Sequence, residues 1–158
     1  MSACRLTPSD LAHYIATHHI AAELVPMSVE TPTVAAAAAA LGVQPGQIIK
    51  SLLFLVHGQP VLVIASGEAM VEREVLARRF SVGKKQIKLA DAETVLRITG
   101  YPVGGVPPFG HLHPSPTLLD QAVLAWEFIY GGGGDEWTLL RIAPKELARV
   151  TAAEWIAL

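Results

Sequence analysis

Residues Gly100 to Gly110 read Gly-Tyr-Pro-Val-Gly-Gly-Val-Pro-Pro-Phe-Gly, with four glycines and three prolines in eleven positions. Neither a helix nor a central strand tolerates that density. Each proline lacks an N–H and locks φ, and each glycine adds backbone freedom that folding must remove. The segment is therefore a loop in which prolines stiffen the chain and glycines allow close backbone approach. The regular elements have to be found on either side of it.

Before the loop, Thr7-Pro8-Ser9-Asp10 marks a helix start, with Ser9 or Asp10 as cap and the helix running through His18. Ile20 to Val25 is a short apolar strand bounded by Pro26. Thr31-Pro32 opens a second helix, with Thr31 as cap and Pro32 at the first helical position. That helix carries six consecutive alanines, Ala35 to Ala40, and ends at Gly42. Alanine admits close neighbours, so the helix should lie flat on a sheet. Ile48 to Val56 and Val61 to Ala65 are strands joined through His57-Gly58-Gln59-Pro60 as a hairpin. Val71 to Phe80 has helical spacing at Val71, Val75, Leu76 and Phe80, and Asp91 caps a short helix to Ile98. After the loop, Trp126 to Tyr130 and Trp137 to Ile142 read as strands around a turn at Gly131 to Gly134, and Pro144 to Arg149 closes the chain as a helix.

No repeat, linker or composition break divides the 158 residues. The expectation is one α/β domain of α+β type over residues 1–158, a mixed, largely antiparallel sheet flanked by helices. Hydrophobic residues make up 51% and charged residues 16%, which excludes disorder. The apolar stretches Val34 to Val43 and Ile48 to Val56 fall short of the roughly 20 residues of a membrane helix. Met1 to Asp10 has no signal-peptide core, and Cys4 is the single cysteine, so a cytoplasmic protein without a disulfide is expected. A net charge of −2 excludes a strongly basic nucleic-acid binder, though not a local basic face.

Several chemistries lack their residues. There is no Walker loop and no G-x-S-x-G elbow, and Gly131 to Gly134 has no Lys and Ser or Thr after it. His111 and His113 would share one side of a strand, but no third ligand accompanies them, so no metal site is expected. Lys50 is the odd residue, an ammonium inside the otherwise apolar run Ile48 to Leu55. Either its stem snorkels to solvent at a sheet edge, or it borders a pocket and offers three donors to a carbonyl or phosphate. The Gly100 to Gly110 loop is equally open. It is a structural turn, or it presents backbone N–H groups to an ester carbonyl or oxyanion. Six of the chain's twelve basic residues, Arg73, Arg78, Arg79, Lys84, Lys85 and Lys88, fall between Glu72 and Lys88. They form a solvated face or an RNA phosphate contact.

Taken in order, these pieces resemble the YbaK/EbsC family, free-standing relatives of the editing domain inserted in bacterial prolyl-tRNA synthetases. The matching segments are Thr33 to Val43, Gln47 to Phe54 with Lys50-Ser51, Thr99 to Gly110, Leu118-Leu119-Asp120, and Tyr130 to Leu147. Lys50 together with the Gly-rich, Pro-closed loop is the specific pair.

The resemblance implies hydrolysis of the ester that links a wrong amino acid to tRNA, with Lys50 as the central polar residue. Gly104 and Pro108 match the family's Gly-x-x-x-Pro loop, which implies that Gly104, Gly105, Val106 and Pro108 hold the aminoacyl end. Ser51 adjoins Lys50, and Asp120 matches an acidic position near the pocket. Met27, Val106 and Pro107 are candidate walls. Arg78, Arg79, Lys84, Lys85 and Lys88 are candidate tRNA contacts. No metal or cofactor is implied. The expected partner is a mischarged tRNA, tRNA(Pro) carrying Cys, Ala or another small residue, with prolyl-tRNA synthetase or another translation factor as a possible companion and no membrane. The alternatives are a binding module of the same fold that protects the ester, and a hydrolase of simple esters.

Overall fold

The computed structural model describes residues 4–67 and 69–158; the first three residues of the Met1 to Asp10 stretch, where no signal-peptide core is expected, lie outside them. Among the described residues eight strands form two sheets, and five α-helices pack around them. In chain order these are α1 (Pro8–Thr17), β1 (Ala22–Pro26), α2 (Val34–Leu41), β2 (Ile49–Val56), β3 (Gln59–Ser66), α3 (Arg73–Phe80), β4 (Ile87–Leu89), α4 (Ala92–Thr99), β5 (Thr117–Asp120), β6 (Ile129–Gly132), β7 (Thr138–Ile142), α5 (Pro144–Thr151) and β8 (Glu154–Ile156).

The β2–β3 hairpin is the centre of the larger sheet, whose order is β4-β2-β3-β5-β8. Its turn is tighter than expected. Only His57 and Gly58 lie between the strands, at φ +50° and +80°. Two residues with positive φ give the hairpin turn whose twist matches the strands it joins. Pro60 consequently stands inside β3 opposite Leu55. Its missing N–H faces the other edge, before β5 begins to pair at Leu62. The β4–β2 and β2–β3 pairs are antiparallel, while β3–β5 and β5–β8 are parallel. The smaller sheet, β1-β7-β6, is antiparallel throughout. One parallel bridge, Ile48 to Tyr130, joins the two sheets. The mixed, largely antiparallel α/β architecture is thus present, divided into two sheets.

Both faces of β2 and β3 are buried, which is why these strands read as continuous apolar runs. Phe54, Val56, Val61 and Val63 pack with Leu118 under Leu76 and Ala77 of α3. On the opposite face Ile49, Leu53, Leu62 and Ile64 meet Leu11 of α1, Val95 of α4, Leu147 of α5 and the inward residues of β6 and β7. Each fully buried aliphatic side chain contributes about 1.5–3 kcal/mol. Most of the stability therefore lies in the layers around this hairpin.

Several boundaries differ from the sequence expectation for local reasons. Thr7, not Ser9 or Asp10, caps α1: its hydroxyl accepts from the Asp10 N–H while Asp10 returns a bond to the Thr7 N–H at 2.8 Å. Thr33 rather than Thr31 caps α2, accepting from Ala36 N–H, and Thr31 instead bonds the Glu136 carbonyl. Helix α3 begins at Arg73 after Glu72, and α5 continues to Thr151. Trp126 follows a 3-10 turn, so β6 starts only at Ile129 and takes in Gly131 and Gly132. His111 and His113 lie in a loop, not a strand. Strands β4, β5 and β8, of three or four residues each, were too short to announce themselves in the sequence.

Candidate functional site

The two sheets share a core, but strand pairing does not run the whole length of the β2 edge. Strand β4 pairs with β2 only from Phe54 to Val56, with one further bond from Ala90 N–H to the Leu53 carbonyl. Strand β6 joins this part of the chain through the parallel bridge of Tyr130 to Ile48. Between these contacts the edge of β2 has no strand partner among the described residues, and a cavity of about 330 Å³ opens beside it. Its walls come from β2, from the start of α2 (Thr33, Val34, Ala37), from Leu89 and Ala90, and from the Gly-rich loop through Val103, Gly104 and Val106. The size suits a small ligand, and the lining follows the pattern of such sites: mostly apolar with a few convergent polar groups.

Lys50 is half-buried on β2, opposite Ala65 of β3. Among the described residues that line the cavity it is the one ionisable side chain, and no ion pair to it occurs among the described residues. Its neighbour Ser51 also lines the wall, as do the hydroxyl residues Thr31 and Thr33. An ammonium against apolar walls has little competing solvent. Its field therefore acts strongly on a carbonyl or phosphate oxygen brought near it.

The loop that closes the opposite side is held at several points. Gly104 adopts φ +97°, a conformation that L side chains avoid. Gly105 is packed so tightly that a Cβ there would stand 2.6 Å from the Asp135 Cα. Its carbonyl accepts from Gly134 N–H at 2.9 Å. Beyond the loop, His111 Nε2 donates to the Pro107 carbonyl at 2.6 Å, and burial pushes the imidazole pKa below its ordinary value. Pro107 and Pro108 are both buried behind the cavity wall and are not among its lining residues.

The family model of the aminoacyl-tRNA editing domain matches residues 28–150. The chain belongs to the aminoacyl-tRNA editing domain family. This editing domain is 30% identical over 126 residues to YwhH of Bacillus subtilis, described as an uncharacterized protein, covering 78% of each chain. It is 39% identical over 70 residues to the proline–tRNA ligase of Maridesulfovibrio salexigens, of which that stretch is 12%. A solved structure described as a proposed trans-editing enzyme for prolyl tRNA synthetase superposes with a TM-score of 0.87 at 31% identity, over 96% of this chain and 95% of that one.

Of the residues expected from the sequence, the editing domain brings Lys50, Ser51, Gly104 and Val106 to one cavity. Asp120 is not among them. It is 3% exposed at the end of β5, where its two carboxylate oxygens accept from Ser66 N–H (3.1 Å) and Ala122 N–H (3.0 Å). Met27 packs in the cluster with Ala37 and Leu139, behind the wall rather than in it. The basic segment lies on α3, the 3-10 turn Lys84–Gln86 and β4. Arg79 pairs with Glu154, and Lys84 with Glu74 at 2.6 Å. Arg78, Lys85 and Lys88 have no ion pair among the described residues, and Lys88 directly precedes the cavity residue Leu89. Sequence reading missed the contribution of Thr31 to Val34 and of Gly131 and Gly132. The glycine run was the available signal. A Cβ on Gly131 would stand 2.8 Å from Ile49 Cγ1, so the run exists to let β6 approach β2.

Proposed function

We propose that this editing domain is a free-standing deacylase, hydrolysing the ester between a small amino acid and the 3′ ribose of a mischarged tRNA. The acceptor is tRNA(Pro), carrying Ala, Cys or a residue of similar size. The reading is carried by one observation: Lys50 is the single ionisable side chain, among the described residues, on the wall of a mostly apolar cavity closed by a pinned glycine loop. No carboxylate, imidazole or thiol lines the cavity among those residues, so no protein group stands ready as a general base.

An aminoacyl ester needs none. It is already activated, and the ribose hydroxyl beside the ester is placed to draw a proton from water. Water adds to the carbonyl carbon, the electron pair moves to the carbonyl oxygen, and collapse breaks the ester C–O bond. The ribose oxygen leaves with the proton given up by water, and the free amino acid and tRNA depart. The protein supplies orientation and electrostatic stabilisation. In this scheme Lys50 offsets developing charge or positions the terminal phosphate, and Gly104, Gly105, Val106 and Pro108 keep the loop wall in place. Small apolar walls admit small side chains, with about 1–3 kcal/mol of discrimination per methylene. Arg78, Lys85 and Lys88 grip the tRNA backbone near the cavity mouth, with Arg79 and Lys84 at the margin. The chain acts in the cytoplasm, where charged tRNA is, alone or beside prolyl-tRNA synthetase or another translation factor bound to the same tRNA.

The test is a deacylation screen with tRNA(Pro) charged with Ala, Cys, Ser, Thr or Pro. Catalytic release of one small amino acid, with prolyl-tRNA spared, supports the reading. Protection of every ester would make the domain a binding module instead. Equal cleavage of free aminoacyl esters would make it a general esterase.

A further inference from the structure

The unpartnered edge of β2 carries a second consequence. In an antiparallel strand the N–H and C=O of one residue point to the same edge, and the edge alternates along the chain. The Leu53 carbonyl accepts from Ala90 N–H and the His57 N–H donates to the Gln86 carbonyl, so odd-numbered residues of this stretch address the β4 edge. The Ile48 carbonyl accepts from Gly67 N–H, so even-numbered residues address β3. Ser51 is therefore the residue whose N–H and C=O both face the cavity at the level just past Leu53. There the chain of β4 has already turned away, because Asp91 caps α4. Neither β4 nor β6 forms a strand pair with Ser51 on that edge. Main-chain groups on a largely apolar wall call for a partner.

We infer that the aminoacyl group of the substrate fills this vacated strand position, pairing with the main chain of Ser51 as one residue of an added β-strand. The proposal rests on the aminoacyl-tRNA reading and specifies how that site holds its substrate. An α-aminoacyl ester has the layout of a strand residue: a donor nitrogen, Cα, then an acceptor carbonyl. Its ammonium donates to the Ser51 carbonyl and its ester carbonyl accepts from the Ser51 N–H. Edge pairing of this kind recognises main-chain-like atoms whatever the side chain, which then projects toward the walls for selection by size. As water adds, the electron pair moves onto the carbonyl oxygen already held by the Ser51 N–H. That group becomes an oxyanion donor on a rigid strand.

The experiment follows the Ser51 amide by NMR while adding 3′-alanylamido-3′-deoxyadenosine, an uncleavable amide that keeps the ammonium and the carbonyl. The expected result is a downfield shift of the Ser51 N–H that saturates with ligand. No shift at Ser51, with or without binding elsewhere, overturns the proposal. Kinetics give a second reading. Ser51→Pro removes this N–H without removing a β3 ladder bond, and replacing the Ser51 amide by an ester does so without a new ring. Either should lower kcat about 10²–10³-fold, the usual effect of removing one oxyanion donor. If the proline variant does not fold, the ester variant decides. A folded variant within threefold of wild type overturns the proposal. N-acetyl-alanyl-tRNA should be cleaved at least tenfold more slowly than alanyl-tRNA. If the analogue shifts Ser51 while wild type cleaves no charged tRNA, the deacylase reading fails and the binding mode stands.

Discussion

A Cβ built on Gly132 would stand 2.3 Å from the carbonyl oxygen of Val106, so the β6 strand and the loop wall of the cavity meet backbone to backbone. The obstacle is main chain, which has little freedom to retreat. Gly132→Ala should push the loop outward, cost about 1–3 kcal/mol as overpacking does, and lower deacylation at least tenfold. A thermal melt and a single-turnover assay check the two effects.

Lys50 should separate catalysis from folding. Lys50→Met keeps an unbranched stem in a strand otherwise made of Ile, Leu, Phe and Val around Ser51, so the thermal midpoint should not fall. Loss of the ammonium should lower kcat for the mischarged tRNA by roughly 10²-fold, the scale of one electrostatic contact to the reacting group. An unchanged rate would remove Lys50 from the mechanism.

Asp120 should behave in the opposite way. Each of its oxygens accepts from a backbone N–H, of Ser66 and of Ala122, and the group is 3% exposed. Asp120→Asn turns an amide NH2 toward one of those donors and leaves it unsatisfied, which costs about 1–3 kcal/mol. Denaturant unfolding should show that loss, while folded protein at low temperature keeps most of its kcat.

The basic face should divide into two groups. Arg79 and Lys84 are occupied by Glu154 and Glu74, whereas Arg78, Lys85 and Lys88 carry no such partner among the described residues. Replacing Arg78, Lys85 and Lys88 by Glu should weaken tRNA binding uniformly across amino acids. The slope of log K against log salt should become shallower by roughly one for each phosphate left without its cation. Filter binding at several salt concentrations measures both.

Acid sensitivity should trace partly to Glu146. Its bonds to Arg149 and to the Ala21 N–H hold its pKa down at about 2, from an ordinary 4.5. A depressed carboxyl stabilises the fold above its unfolded value, and that stabilisation is lost as pH falls from about 4.5 through about 2. Glu146→Gln should lower the midpoint at pH 7 and flatten the stability profile across that window. Thermal melts from pH 7 to 2 give the comparison.

The parts of the fold that were legible in the sequence are those decided by neighbours along the chain. The Asp91 cap bonds Thr94 N–H three residues away, and Gly42 ends α2 in the left-handed conformation. The long apolar strands β2 and β3 announced themselves because both faces are buried. The caps at Thr7 and Thr33 are not distinguished by sequence from the adjacent candidates Ser9, Asp10 and Thr31, since several short polar residues can serve the same N–H groups. Strands β5 and β8 were invisible. They exist as strands because β3 and then β5 offer an edge to pair with, not because three or four residues prefer to be extended.

The same division holds for the site. Sequence alone determined that a lysine sits in an apolar strand and that a stiff glycine–proline loop follows it, because residue type and chain stiffness are local properties. The resemblance those two features carried led to the editing family. Tertiary structure alone decided that the lysine strand and the loop share a cavity, that Asp120 ties the end of β5 to the end of β3, and that β4 stops short of Ser51. Those are facts about which edges pair and which are left open. The energy that decides them comes from packing between segments distant in sequence, and no local pattern records it.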